Sequence, residues 1–232
     1  MSSLSKYLKR HFTLLVAAIR RLRGQRWRFG SLQGKFTRIY RRNVWGNAES
    51  VSGVGSTLRE TEVIRRGLPA ILERISARTL LDLPCGDFNW MKGVNLNVDI
   101  YIGGDIVREL VELNAQRYGN DQRRFVTLDI TRDRLPEVDV ILCRDCLGHL
   151  AFADIFLALC NIKHSKSKYL LTTTYPSVRE NEDIFSSDWR PINLQSDPFC
   201  FPEPLWLVNE QSLEGSESDK SLGLWRVSTL PG

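Results

Sequence analysis

Apolar positions in this chain repeat with two periods, and each stretch reads as a different element. Leu4, Leu8, Phe12, Leu15, Ile19 and Leu22 recur at three- and four-residue steps, with Lys6, Lys9, Arg10, Arg20, Arg21 and Arg23 around them. That is the pattern of a basic amphipathic helix. A second helical pattern follows a glycine- and hydroxyl-rich loop over residues 52–57. Its apolar side is Leu58, Val63, Ile64, Leu68, Ile71, Leu72 and Ile75, with Ser56 or Thr57 as cap and Glu60 set as in a capping box. Short apolar runs then alternate with helical spacing. Strands are predicted over 79–83, 99–103, 124–128, 138–143 and 169–174, and helices over 107–118, stopped by Gly119, and 152–162. Strands separated by helices imply crossover units and a parallel sheet covered on both faces. Residues 205–208 and 222–228 are strand-like with a polar, turn-rich segment and no helix between them. They are expected to form an antiparallel hairpin at the sheet edge.

Composition fits this picture. The 232 residues are 42% apolar and 25% charged, enough for one domain with a real core and too apolar for a disordered chain. Five cysteines, an odd number in a chain too long to need staples, point to reduced thiols and a cytoplasmic setting. The formal charge of +5 conceals a split. Residues 1–45 hold twelve Lys or Arg and no acid, which leaves 20 of the 32 basic residues against all 27 acids from Gly46 onward. Charge therefore divides the chain into a basic extension, 1–45, and an acidic domain, 46–232.

The purely apolar stretch of the extension, residues 14–19, falls short of the roughly 20 needed to span a bilayer and has no small-residue cleavage site after it. A basic amphipathic helix with Arg26, Arg28, Arg38, Arg41 and Arg42 beyond it suits an anionic membrane face contacted through residues 4–42, making the protein peripheral to a membrane. A nucleic-acid arm, an organelle transit peptide and a plain N-terminal extension are the alternatives.

Chemistry concentrates at the strand ends. In an open parallel sheet, ligands sit beyond the carboxyl ends of the strands. Three successive strands finish in Asp82, Asp105 and Asp129, and Asp105 falls 19 positions after Gly86. An acid about 20 residues past a tight strand–helix turn is placed to grip a ribose diol. For any one aspartate the alternative is a helix cap. The first turn, with Pro84, Gly86 and Asn89 where a dinucleotide fingerprint has glycines, argues against a pyrophosphate. Asp87 and the bulky Phe88 beside it suit a ligand with a cationic group, such as an ammonium or a sulfonium.

With these residues in view, the chain resembles a class I S-adenosylmethionine-dependent methyltransferase. It is similar in particular to a bacterial subfamily carrying the runs Leu81-Asp82-Leu83-Pro84-Cys85-Gly86-Asp87-Phe88-Asn89-Trp90-Met91, Tyr101-Ile102-Gly103-Gly104-Asp105-Ile106-Val107 and Cys143-Arg144-Asp145-Cys146-Leu147-Gly148-His149-Leu150. The similarity extends from Trp45 to Leu230. It implies a Rossmann-like, doubly wound α/β fold with a seven-stranded sheet and an antiparallel last strand. It also implies S-adenosyl-L-methionine as cofactor, with Asp82, Pro84 and Gly86 in the first cofactor loop. Asp105 with Ile106 would hold the ribose, Asp129 with Ile130 would flank the adenine, and Arg144 and Asp145 would lie under the methionine moiety.

Methyl transfer to an alcohol needs positioning and a base for the departing proton. His149 and Asp145 are the candidates; a histidine packed on the strand ends is the alternative for His149. Asp188, Trp189, Arg190 and Asn193 lie in a proline-studded loop of the kind that shapes a substrate pocket, whereas Phe199 and Phe201 read as core. Cys143, Cys146 and His149 lack the second ligand pair a zinc site needs, so no metal is expected. The expected substrate is a small molecule or glycan precursor bearing a hydroxyl. An RNA methyltransferase is the first alternative, disfavoured by the acidic domain; a catalytically silent binding protein is the second.

Overall fold

The computed structural model describes residues 30–212 and 219–231. The basic helix predicted over residues 4–22, with Arg26 and Arg28, lies outside the described residues.

Among the described residues, seven strands form one sheet in the order β3-β2-β1-β4-β5-β7-β6. They are β1 (Thr79–Asp82), β2 (Ile100–Asp105), β3 (Arg123–Thr127), β4 (Val140–Cys143), β5 (Tyr169–Thr174), β6 (Trp206–Asn209) and β7 (Ser221–Arg226). The first five are mutually parallel, and β7 runs antiparallel to both β5 and β6. The expected edge hairpin is present, with β7 as its inner strand. Strand order reverses between β1 and β4, which opens a crevice at their carboxyl ends.

Among the described residues, four helices flank the sheet: α1 (Leu32–Arg41), α2 (Glu62–Arg74), α3 (Arg108–Tyr118) and α4 (Phe152–His164). The pleat sends alternate residues of β4 to opposite cores. Val140 and Leu142 join Ile64, Leu68, Ile71 and Leu72 of α2, while Ile141 and Cys143 join Ile155, Ala158 and Ile162 of α4. Two crossovers differ from the sequence expectation of strand–helix alternation. The β1–β2 connection holds only a short 3-10 turn at Met91–Gly93, and no helix intervenes between β3 and β4. Pairing stays parallel because each connection still returns the chain across the sheet.

α2 begins later than the capping pattern implies. The Thr57 hydroxyl oxygen accepts from the Glu60 amide, and the Thr61 hydroxyl donates to the Thr57 carbonyl, so residues 57–61 close their own turn first. The Glu60 carboxylate accepts from the Ser212 hydroxyl and completes no capping box.

The boundary that charge draws at residue 45 has no counterpart in the packing. Leu32 and Phe36 of α1 pack against the α4-side core and Ile39 is buried. Gln33 donates to the Ile106 carbonyl, the Lys35 ammonium donates to the Ser186 carbonyl, and Arg41 pairs with Glu109. Four of the extension's cations, those from Lys35 to Arg42, therefore sit on an element of the domain. Their charge averages with that of the preceding segment and hides the helix. Among the described residues no helix is long and apolar enough to cross a membrane.

Candidate active site

A cavity of about 380 Å³ lies at the carboxyl ends of β1 to β4. All ten site residues expected from the sequence line it: Asp82, Pro84, Gly86, Asp105, Ile106, Asp129, Ile130, Arg144, Asp145 and His149. Four further contributions lie beyond that expectation: the face of α1 (Leu32, Phe36, Tyr40), Trp45, the loop over residues 51–56, and Lys220 from the far hairpin.

Asp82 ends β1 and is almost fully buried. Burial pushes its carboxyl up to about 7, although the Tyr101 hydroxyl, donating at 2.6 Å, favours the ionised form. At the end of β2, Asp105 is also pushed up by burial, to about 6, against the pull of the backbone amides of Val107 and Gly86. Those amides donate to separate oxygens, Val107 at 2.9 Å to Oδ1 and Gly86 at 3.1 Å to Oδ2. Asp129 accepts the Thr131 amide and hydroxyl on Oδ1 and faces Arg132 at 3.1 Å through Oδ2. Two of the three aspartates thus close local turns and still face the cavity. Neither is the helix cap of the alternative reading: α3 has Val107 at its N-cap with no side-chain cap bond, and no helix follows β3 before β4.

The first loop needs a glycine. Gly86 has φ +54°, and a Cβ there would stand 2.3 Å from Ser52 Oγ. Asn114 fixes the turn by donating to the Gly86 carbonyl at 2.7 Å. The expectation that Asp87 and Phe88 face a cationic ligand is corrected here, since neither lines the cavity. The Asp87 carboxylate accepts from the Ser50 hydroxyl (3.0 Å) and the Val51 amide (2.9 Å), clasping the loop that forms the opposite wall. Phe88, at φ +59°, turns into the core, where its ring meets Tyr101, Tyr118 and Phe125.

A buried network of four charges lies beside β4. Arg144 donates through Nε and Nη2 to the two oxygens of Glu210 (3.1 and 2.6 Å), and its Nη1 stands 3.0 Å from Asp145 Oδ2. Lys220 donates to the same Asp145 oxygen at 2.7 Å. Burial alone would raise the Asp145 carboxyl, but Arg144 and Lys220 outweigh it and hold the group at about 2. Glu210 and Lys220 come from the hairpin, 66 and 75 positions away from their partners. No spacing rule reaches that far, so sequence reasoning misses both.

His149 occupies a 3-10 turn, Leu147–His149. Its Nδ1 lies 3.0 Å from the Asp188 carbonyl, which can only accept, so Nδ1 carries the proton and Nε2 has a free lone pair. Burial pushes the imidazole below its usual range. Arg190 does not face the cavity; its guanidinium donates to the carbonyls of Leu147, Gly148 and Leu150 and fixes the turn that carries His149. Asn193 likewise holds loop carbonyls, those of Pro176 and Val178. Trp189 does line the cavity. Phe199 and Phe201 are core residues. Cys143 is fully buried within β4.

No protein-family model matches the sequence, and neither does any curated protein. Solved structures do resemble the fold. The methyltransferase domain of bacterial CtHen1 superposes with a TM-score of 0.54 at 13% identity, covering 76% of this chain and all of that one. Human N-acetylserotonin methyltransferase, solved with S-adenosylmethionine, gives a TM-score of 0.52 at 16% identity over 82% of this chain and 58% of its own length. At such identities the likeness is one of fold: a seven-stranded, Rossmann-like sheet of the methyltransferase type.

Proposed function

We propose that the protein is an S-adenosylmethionine-dependent methyltransferase acting on the hydroxyl of a small molecule or glycan precursor. The observation that carries this is the convergence of the ends of four successive strands on one cavity, in a fold shared with methyltransferase domains. The residues present suit the cofactor. Asp105 has each carboxylate oxygen anchored by one backbone amide and keeps lone pairs for two ribose hydroxyls. Ile106, Leu128 and Ile130 offer an apolar slot for a base, with Asp129 at its edge. The absence of a side chain on Gly86 leaves backbone open to the ligand, and Asp82, Pro84 and Arg144 complete the floor.

When bound, the cofactor supplies a methyl group on a positively charged sulfur, which keeps the C–S electron pair and leaves as a neutral thioether. The protein positions the acceptor and takes its proton. His149 is suited to taking the proton, because the Asp188 carbonyl fixes its tautomer and its lowered pKa keeps Nε2 unprotonated at neutral pH. Asp145, the other candidate, is held ionised by two cations and would be a poor proton acceptor, so its role is to orient Arg144 and Lys220. The basic segment before Gly30 would hold the enzyme at an anionic membrane face, since Lys35 and Arg41 are engaged within the fold.

Ultraviolet cross-linking with methyl-labelled S-adenosylmethionine tests the cofactor assignment. Label should enter the chain and be displaced by unlabelled S-adenosylhomocysteine. Asp105→Ala should weaken that displacement about 10- to 100-fold, the scale of losing hydrogen bonds to a charged group. Labelling that survives excess competitor would refute the assignment.

A further inference from the structure

On the β4 side of the cavity, His149 lies against one indole, and a second lies over its chain neighbour Gly148. The Trp45 ring lies 5.3 Å from the imidazole, tilted by 41°. Its backbone neighbour is Gly53, where a Cβ would sit 3.4 Å from Trp45 Cβ. Trp189 lies over Gly148, where a Cβ would be 3.5 Å from its Nε1, and its ring meets Tyr175 edge-on at 6.3 Å. Tyr40, from α1, adds a third aromatic wall. Proton removal by His149 requires none of these rings.

Charge limits what such walls can hold. Arg144 and Lys220 are the only Lys or Arg side chains among the described residues lining the cavity. Both are ion-paired, Arg144 with Glu210 and Asp145, and Lys220 with Asp145. An anionic acceptor would find no unpaired cation there. An ammonium beside His149 would meet the Asp145 carboxylate already paired with two cations, Arg144 and Lys220. An uncharged flat ring gains from stacking and loses nothing by desolvating a charge.

On the premise that the cavity is a methyltransferase site, we infer that the acceptor is an uncharged aryl alcohol, its ring stacked against Trp45 and its hydroxyl delivered to His149 Nε2. Aromatic faces match the indoles. A phenolic hydroxyl, with a pKa near ~10, also gives up its proton to an imidazole far more readily than an aliphatic alcohol does. Trp45 is thereby a specificity-determining residue.

The test uses the full chain saturated with S-adenosylhomocysteine and titrated calorimetrically with 2-naphthol, 2-naphthyl phosphate and 2-naphthylmethylammonium. We expect 2-naphthol to bind at least tenfold more tightly than either charged analogue. Trp45→Ala should weaken 2-naphthol at least tenfold while leaving S-adenosylhomocysteine affinity within twofold, and Trp45→Phe should retain 2-naphthol binding within about threefold. The comparison among analogues on the unaltered chain does not depend on any variant folding. The inference is overturned if a chain that binds S-adenosylhomocysteine ignores 2-naphthol, binds a charged analogue equally well, or is indifferent to Trp45→Ala. Failure to bind S-adenosylhomocysteine at all would instead remove the methyltransferase premise, and this inference with it.

Discussion

The two nitrogens of His149 have different surroundings, and that difference makes its role measurable. Nδ1 is committed to the Asp188 carbonyl, so the neutral ring should exist as the Nδ1–H tautomer. Because burial lowers its pKa, the imidazole protonates only below about 6.5, the ordinary value. Methyl transfer should therefore rise with pH through that depressed pKa and level off above it. His149→Ala should lower kcat about 10²- to 10⁴-fold, the range for losing a general base. Nitrogen-15 NMR of the imidazole checks the tautomer directly; a protonated Nε2 at pH 8 would contradict the role.

At this scale the sequence is informative about position and silent about direction. The spacing from Gly86 to Asp105 is readable because both close turns at adjacent strand ends, and the fold joins them by a hydrogen bond. Proximity alone suggests that Asp87 and Phe88 face the ligand. A positive φ at Phe88 sends the ring into the core, and no residue pattern announces that rotation.

Among the elements, α1 and the β6–β7 hairpin show what pattern analysis reaches and what it does not. Leu32, Phe36 and Ile39 follow helical spacing, but the cations between them draw attention to charge before packing. The hairpin is legible as a strand pair from its turn-rich interior, whereas its two charged residues become meaningful only when the sheet order sets β7 beside β5. Glu210 anchors the hairpin to Arg144 with both groups inaccessible to solvent. Glu210→Gln would leave the guanidinium short of a counter-charge, and we expect a stability loss of about 3–5 kcal/mol. Urea denaturation should register it as a lower midpoint at unchanged slope. The exposed pair between Arg41 and Glu109 provides the contrast, since Arg41→Ala should cost no more than ~1 kcal/mol. Equal losses in the two variants would mean the buried network does not hold the hairpin.

Over the whole molecule, charge and packing divide the chain differently, since α1 carries cations of the basic start yet packs on the acidic domain. The cavity draws on residues from Leu32 to Lys220, so α1 and the last hairpin belong to the same working unit as the strand ends. The architecture is readable because alternating short apolar runs and helical stretches leave few ways to build a sheet. The cavity's far wall is not, because it is assembled from chain segments that meet only in three dimensions. Everything proposed for this assembly depends on its accepting the cofactor. Isothermal titration of the full chain with S-adenosylhomocysteine measures that directly. Saturable binding at one ligand per chain is the predicted result, and an absence of binding by well-folded protein would contradict it.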